Sequence, residues 1–197
     1  MPTITELFPA PTLDPTRWVS TLQGSTSLTI GAPSDGVYPV GVDDPGDQVT
    51  VDSKNRLTVP AGSFDARIFY DDVFDDIDEN ISSFLGWRSN QVDGGGMPAF
   101  GIDILLCVKP GPVFELQKQT VNLGSVNRGT VINDPLNGGN GGFRVTRSAS
   151  TYSLYFFNAG WVLLAQEVLP FSGPGFIFFG QLAESPTLQA FPWVPQT

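Results

Sequence analysis

The sequence predicts an all-β protein, a sandwich of two antiparallel sheets, and three observations carry that prediction. Polar residues alternate with aliphatic or aromatic residues in several short segments, which is the period-2 pattern of a strand with one buried face. The 197 residues include 22 glycines and 17 prolines, which divide the chain into short segments joined by turns. No window of a dozen residues combines a 3.6-residue apolar stripe with capping residues, so no long helix is expected.

The first predicted strands lie between residues 48 and 70. Residues 48–52 and 56–59 both alternate, and the short polar linker between them predicts a hairpin. Residues 63–70 place Phe64 on one face and Asp65 on the other, which is typical of a half-buried strand.

The clearest block of strands spans residues 142–182. Four segments rich in aromatic and β-branched residues follow one another, and turn-forming residues separate them at intervals close to the 10 or so residues expected in a sandwich. We therefore predict a four-stranded meander. Its segments are Phe143–Arg147, Tyr152–Phe157, Trp161–Val168 and Phe176–Gly180.

Charge and composition exclude several classes of function. Ten basic residues against twenty acidic ones give a formal charge of −10, which disfavours binding to nucleic acid or to an anionic membrane surface. With no histidine in the chain, Ser-His-Asp and Cys-His nucleophilic sites and histidine-ligated metals cannot form. The single Cys107 lies in an apolar run, which favours a buried and unreactive thiol over a reactive one.

Both ends of the chain are predicted to be extended arms. Residues 1–13 and 186–197 each contain three prolines, which do not fit inside a central sheet. The prediction is an N-terminal arm over 1–13, one sandwich domain over 14–185 and a C-terminal arm over 186–197. The arms either pack on their own domain or lie on neighbouring copies in an assembly.

Aromatic residues between the prolines of the arms are the expected anchors to protein partners. Such side chains bury a large area and lose little conformational freedom on binding. They are Phe8, Phe191 and Trp193.

From Leu13 to Phe179 the sequence resembles the concanavalin A-like, or laminin G-like, jelly-roll sandwich superfamily. The resemblance implies a two-sheet antiparallel jelly roll and leaves the function open, because this superfamily includes lectins, adhesion modules, glycoside hydrolases and virion surface proteins. The segments that carry it are 13–18, 55–59, 64–68, 83–88, 142–147, 152–157 and 160–164.

An acidic segment is the one place where the resemblance suggests catalysis. Glycoside hydrolases of the superfamily carry a strand of the form Glu-x-Asp-x-x-Glu, whose carboxylates attack the anomeric carbon and protonate the leaving oxygen. The nearest match, residues 76–81, fails at both outer positions, where Asp76 and Ile81 stand. An enzyme is therefore the weaker interpretation.

The same segment is rich enough in carboxylates to suggest a cation. Closely spaced acids repel one another or share a hard cation such as Ca²⁺. A calcium site and a plain hydrated acidic surface both remain open, and no other cofactor is expected. The candidate ligands are Asp71, Asp72, Asp75, Asp76 and Asp78.

Aromatic and amide side chains near the predicted turns supply the residue types of a sugar site. Such a site needs an aromatic face for the C–H side of the ring and polar groups for its hydroxyls. The alternative is that the tryptophans belong to the core. The candidates are Trp87, Asp93, Asn137, Asn140 and Trp161.

The function expected from the sequence is that of a non-enzymatic structural and recognition module. It is best interpreted as a virion surface protein that decorates a capsid or associates with a fibre and forms a homo-oligomer or larger assembly. A carbohydrate-binding, lectin-like domain is the alternative, and a glycoside hydrolase comes third. No signal peptide or membrane span is evident, so synthesis in the host cytoplasm is expected.

Overall fold

The computed structural model describes residues 18–23, 29–30, 40–41, 48–53, 62–70, 80–95, 98–109, 113–123, 125–133, 141–157 and 159–184. These residues form thirteen β-strands and no helix, so the all-β prediction is confirmed for the described chain. Nothing in these ranges offers a helix able to cross a membrane. The strands are β1 (Trp18–Gln23), β2 (Thr29–Ile30), β3 (Val40–Gly41), β4 (Gln48–Ser53), β5 (Phe64–Tyr70), β6 (Asn80–Ser89), β7 (Phe100–Lys109), β8 (Val113–Asn122), β9 (Ser125–Asn133), β10 (Gly141–Ser148), β11 (Thr151–Phe157), β12 (Trp161–Val168) and β13 (Gly175–Glu184).

Eleven of these strands build two antiparallel sheets. The larger sheet has seven strands in the order β1-β4-β13-β6-β7-β8-β9, and the smaller has four in the order β12-β11-β10-β5. Strands β2 and β3 pair separately. The order is not sequential, because β13 lies between β4 and β6 and β5 lies beside β10. The two-sheet jelly-roll sandwich predicted from the sequence is confirmed.

Strand β13 corrects two local predictions. The four-stranded meander is wrong in its last member, because β10, β11 and β12 pair in sequence whereas β13 crosses to the larger sheet. The hairpin of residues 48–52 with 56–59 is also wrong, because β1 and β13 occupy both edges of β4. Phe178 and Phe179 of β13 are both buried, as expected for a strand covered on both faces, whereas β12 has exposed side chains and forms an edge.

The main core lies between the two sheets. Alternate residues of β6, β7 and β10 point into it, as the period-2 pattern requires, and β6 and β7 of the larger sheet lie over β10 and β11 of the smaller. Trp87 is fully buried there, and its ring centroid lies 6.4 Å from that of Phe64 and 5.1 Å from that of Tyr152. The cluster also contains Leu85, Ile102, Ile104, Leu106, Leu116, Phe143, Val145, Leu154, Phe156 and Phe179.

A buried arginine closes one end of this core. Arg147 of β10 is only 1% exposed, and its guanidinium lies 5.3 Å from the ring centroids of both Phe64 and Trp87. Its Nε donates to the carbonyl of Gly62 at 2.9 Å, and its Nη1 donates to the carbonyl of Gly173 at 2.7 Å. Arg147 thereby joins the segment before β5 to the segment before β13.

The other face of the larger sheet is buried as well. A second apolar cluster lies there, made of Phe84, Leu105, Cys107, Val121 and Phe178. The thiol of Cys107 is buried, as the apolar run around it predicts, and its reactivity stays a prediction. Polar residues share this face with the cluster, and they are considered below as one of two candidate sites.

Candidate functional site

The outer face of the four-stranded sheet carries three aromatic side chains in one cross-strand row. Trp161 on β12 pairs with Phe157 on β11, Phe157 pairs with Gly142 on β10, and Gly142 pairs with Phe69 on β5. Cross-strand partners project on the same side of a sheet. The three rings, called the aromatic row below, therefore lie on one surface.

The rings of the aromatic row contact one another across the glycine. The Phe69 and Phe157 centroids are 5.4 Å apart, those of Phe69 and Trp161 5.5 Å, and those of Phe157 and Trp161 5.2 Å. A Cβ atom on Gly142 would lie 3.0 Å from the ring of Phe69, so glycine lets the rings close over the backbone. Phe69 is nevertheless 62% exposed, so its ring is open to solvent beside the two other rings.

A cluster of three charged residues borders the aromatic row. Asp65 on β5 accepts two hydrogen bonds from Arg144 on β10, both at 2.8 Å, and two from its neighbour Arg67, at 3.1 and 2.6 Å. Both arginines contact the carboxylate through Nε and Nη2. These residues, called the Arg-Asp-Arg cluster below, form two fork-like bidentate pairs around one carboxylate.

The two arginines keep Asp65 ionised. Partial burial alone would raise the pKa of Asp65, but the hydrogen bonds and charges of Arg67 and Arg144 outweigh it and lower that pKa to about 2. The hydrogen bond from Asp65 also raises the pKa of Arg67. Asp65 therefore stays ionised at neutral pH.

Arg144 links the charged cluster to the aromatic side chains. Its guanidinium carbon lies 4.8 Å from the ring centroid of Tyr155 and 5.9 Å from that of Trp161. Both contacts have cation–π geometry, which orients the guanidinium beside the rings. The surface thus offers exposed apolar ring faces next to fixed hydrogen-bond donors and acceptors, a combination suited to a flat ligand with a polar edge.

A second candidate site lies on the far face of the seven-stranded sheet. Asp103 on β7 pairs with Gln119 on β8, and Gln119 pairs with Arg128 on β9, so these side chains form a polar row. Asp103 and Gln119 have no exposed surface, and neither the carboxylate oxygens of Asp103 nor the amide atoms of Gln119 have a hydrogen-bond partner among the described residues.

Burial changes the ionisation of Asp103. Loss of hydration raises the pKa of this carboxyl to about 8, although the charges of Arg128 and Arg88 act in the opposite direction. Arg88 lies on the neighbouring strand β6, where its guanidinium is 4.3 Å from the ring centroid of Phe178. At neutral pH the carboxyl of Asp103 therefore holds its proton most of the time.

The polar row continues toward the exposed edge of the sheet. Arg128 donates from Nη2 to the thiol of Cys107 at 3.2 Å and from Nε to the amide oxygen of Gln117. Gln117 in turn donates to Glu115 at 2.8 Å. These hydrogen bonds link Arg128 to partly exposed side chains of β8, whereas Asp103 interacts with Arg128 through charge alone.

The structure separates the sugar-contact candidates that the sequence grouped together. Trp161 lies in the aromatic row, partly exposed. Trp87 is fully buried between the sheets, so its surface is not available to a sugar and the core interpretation holds for it. Asp93 accepts a hydrogen bond from the amide of Gly95 at 2.8 Å, in a turn outside both candidate sites.

Several predicted site residues lie outside the described residues. Within the described part of the chain, no three acidic or cysteine side chains converge as metal ligands. The structure therefore leaves the calcium prediction and the partner anchors as predictions. The residues concerned are Phe8, Asp71, Asp72, Asp75, Asp76, Asp78, Asn137, Asn140, Phe191 and Trp193.

Sequence reasoning missed Phe69, Asp65, Arg144 and Asp103 as site residues. The signal for Phe69 was present, because in the alternation of β5 it falls on the polar face with Asp65 and Arg67. The signal for Asp103 was an acid inside the apolar run of β7. When the Glu-x-Asp-x-x-Glu pattern is aligned with β7 so that Asp103 is its central acid, Gly101 and Leu106 occupy the two outer positions, where the pattern requires glutamate.

Solved structures share this architecture. A β-glucanase of Bacillus licheniformis matches with a TM-score of 0.55 at 12% identity, over 92% of this chain and 85% of its own. A glycoside hydrolase family 16 endo-glucanase of Bacteroides ovatus matches with 0.53 at 8% identity, over 90% and 85%. The exoplasmic domain of VIP36, solved with calcium and mannose, matches with 0.51 at 13% identity, over 85% and 76%.

The chain has the concanavalin A-like jelly-roll fold. This confirms the resemblance noted in the sequence, and at these identities the likeness establishes the fold alone. No protein-family model and no curated protein sequence matches the chain. The prediction that the chain is not an enzyme is contradicted, because glycoside hydrolases are among the structures that share this fold. The fold therefore gives no ground for excluding catalysis.

Proposed function

We propose that this protein binds carbohydrate on the outer face of the four-stranded sheet. The observation that carries the proposal is the exposed ring of Phe69, held beside Phe157 and Trp161 and bordered by the Arg-Asp-Arg cluster. Aromatic faces stack on the C–H face of a sugar ring, while carboxylate and guanidinium groups bind its hydroxyls. The shared fold with a mannose-bound lectin domain supports this proposal over a purely structural role.

Removal of single rings tests this proposal. We expect Trp161→Ala and Phe69→Ala each to weaken binding of the best oligosaccharide from a glycan array by about tenfold, since each change removes one stacking face. The measurement is isothermal titration calorimetry on the parent and the two variants. Phe69 is mostly exposed, so its variant should unfold at the same temperature as the parent.

A matched control lies on the other sheet. Leu123, in the turn between β8 and β9, is also a large exposed side chain, and its positive φ of 49° suits asparagine. Leu123→Asn should bind sugar as the parent does. A parent chain that binds no glycan, with calcium or with a chelator in the array buffer, would remove the proposal. The same pair of buffers tests the proposed calcium site.

Hydrolysis is a second candidate, and Asp103 is the observation that favours it. A glycosidase needs a carboxyl that still holds its proton at neutral pH, and the buried Asp103 meets this condition. Because Asp103 has no exposed surface, turnover requires this face of the seven-stranded sheet to open to substrate.

The hydrolase candidate predicts that the parent chain releases reducing ends from a β-glucan and that Asp103→Asn abolishes the release. The carboxamide keeps the shape of the side chain but cannot donate a proton to the leaving oxygen. Trp161→Ala, on the opposite side of the sandwich, should retain the turnover number. Equal rates in the parent and in Asp103→Asn would contradict a catalytic Asp103.

Location on a virion surface and assembly through the chain ends stay predictions of the sequence. The fold neighbours reported above are hydrolases and a lectin domain, which favour the carbohydrate interpretation.

A further inference from the structure

We infer that the saccharide recognised by the aromatic row carries an acidic substituent, a uronate carboxylate or a sulfate ester, which pairs with Arg144 and Arg67. This inference rests on the proposed carbohydrate-binding function and narrows its ligand class. Carboxylate and sulfate share the chemistry that matters here, which is an anionic group with several acceptor oxygens.

The charge of the surface is the first argument. Along the described strands of the four-stranded sheet, the charged side chains that project on the outer face are Asp65, Arg67 and Arg144. One carboxylate neutralises one of the two guanidiniums, so the cluster carries a surplus of one positive charge. In a chain with a formal charge of −10, this local excess opposes the overall balance and favours an anionic ligand.

The unused donors of the arginines are the second argument. A guanidinium has five N–H donors, and the contacts with Asp65 use only Nε and Nη2 of each arginine. The Nη1 groups of both residues are not engaged by Asp65. Each Nη1 carries two N–H donors, and guanidinium donors bind the oxygens of carboxylate and sulfate groups.

Accessibility and position are the third argument. The side chain of Arg67 is 49% exposed and that of Arg144 is 23% exposed, so a ligand can reach both from solvent. The Arg144 guanidinium also lies 4.8 Å from the ring centroid of Tyr155 and 5.9 Å from that of Trp161. A sugar stacked on the row therefore places a ring substituent next to the guanidinium without leaving the aromatic surface.

The test compares three oligosaccharides of equal length by calorimetry: a neutral β-glucan, an oligogalacturonate and a sulfated galactan. We expect the acidic ligands to bind at least about tenfold more tightly than the neutral one at 50 mM salt, and to lose this advantage at 500 mM salt because of screening. The stronger of the two acidic ligands identifies the substituent.

Variants of the Arg-Asp-Arg cluster test the same inference with the same set of oligosaccharides. Arg67→Gln and Arg144→Gln should each reduce the ratio of acidic to neutral affinity about fivefold. Asp65→Asn removes the competing carboxylate and should increase that ratio. Lys118→Gln removes one positive charge that pairs with Glu167 away from this face and should leave the ratio unchanged. Far-UV circular dichroism on each variant verifies that the sandwich is intact.

The outcomes separate this inference from the proposed function. Equal affinity for neutral and acidic ligands, with binding lost in Trp161→Ala, overturns the acidic specificity and leaves carbohydrate binding standing. Binding of none of the three ligands counts against both. An unchanged ratio in both glutamine variants overturns the assignment to Arg67 and Arg144 even if acidic sugars bind best.

Discussion

The stability advantage of the Asp103→Asn variant over the parent is expected to increase as the pH rises from 5 to 8. In the folded protein the pKa of Asp103 is raised to about 8 by burial, whereas the aspartate of an unfolded chain has its ordinary pKa of 3.8. Between these two values the folded state holds a proton that the unfolded state has lost. The free energy of unfolding therefore decreases as the pH rises from 5 to 8, by at most about 1.4 kcal/mol per pH unit.

The groups around Asp103 allow a change in stability between pH 5 and pH 8 to be assigned to this residue. The charged groups that face it are Arg88 on β6 and Arg128 on β9. The chain contains no histidine, the residue that usually dominates stability changes in this range. An asparagine at position 103 keeps the buried polar shape and carries no titratable proton. The advantage of the variant should increase by about 4 kcal/mol between pH 5 and pH 8.

Urea unfolding of the parent and of Asp103→Asn at pH 5 and pH 8 measures the effect. Asp65→Asn is the matched control, since the lowered pKa of Asp65 gives stability that is present above pH 4 and is lost only as the pH falls toward 2. Its variant should lose stability equally at both pH values. A parent whose stability does not change between pH 5 and pH 8 would show that Asp103 is ionised in the fold.

Replacement of Arg147 by methionine is expected to destabilise the protein by about 3 to 5 kcal/mol. The guanidinium donates to the carbonyls of Gly62 and Gly173 in a fully buried setting, and each lost hydrogen bond to a charged donor costs about 1.5 to 3 kcal/mol. Methionine fills similar space, so the loss reports mainly the two carbonyls left without their donor. Thermal denaturation and the near-UV circular dichroism of the adjacent Trp87 and Tyr152 measure it.

Two further variants provide a comparison for the loss of stability expected in Arg147→Met. Lysine retains the charge but has a single nitrogen, which cannot reach both carbonyls, so Arg147→Lys should fall between the parent and the methionine variant. Arg67→Met removes an arginine that is half exposed and should cost less than about 1 kcal/mol. A loss below 1 kcal/mol in Arg147→Met would mean that other groups satisfy the two carbonyls.

The strands were predictable because alternation is a local property. β5 and β10 follow the period-2 pattern, and the turns that join β10, β11 and β12 contain serine, asparagine and glycine. The position of β13 was not predictable in this way. Its sequence resembles that of the strands before it, and its place between β4 and β6 depends on pairing with residues far away along the chain.

The candidate site was predictable only in part, and the two tryptophans show why. Trp87 and Trp161 both follow a glycine and precede further strand residues, yet one is fully buried and the other lies at the surface. The difference arises from the face of the sheet on which each projects, which a single sequence does not specify when apolar residues occur on both faces. The contact between Asp65 and Arg144 is equally difficult to predict from the sequence, because 79 positions separate the two residues along the chain.

The place of β13 has a consequence for synthesis. A nascent polypeptide that has not yet been translated past residue 175 has β4 and β6 but lacks the strand that joins them, so each has an unpaired edge that faces solvent or another chain. The seven-stranded sheet can form only after most of the protein has left the ribosome, by pairing over long sequence separations that slow folding. During that interval we expect the protein to depend on chaperones more than a protein whose strands pair in order.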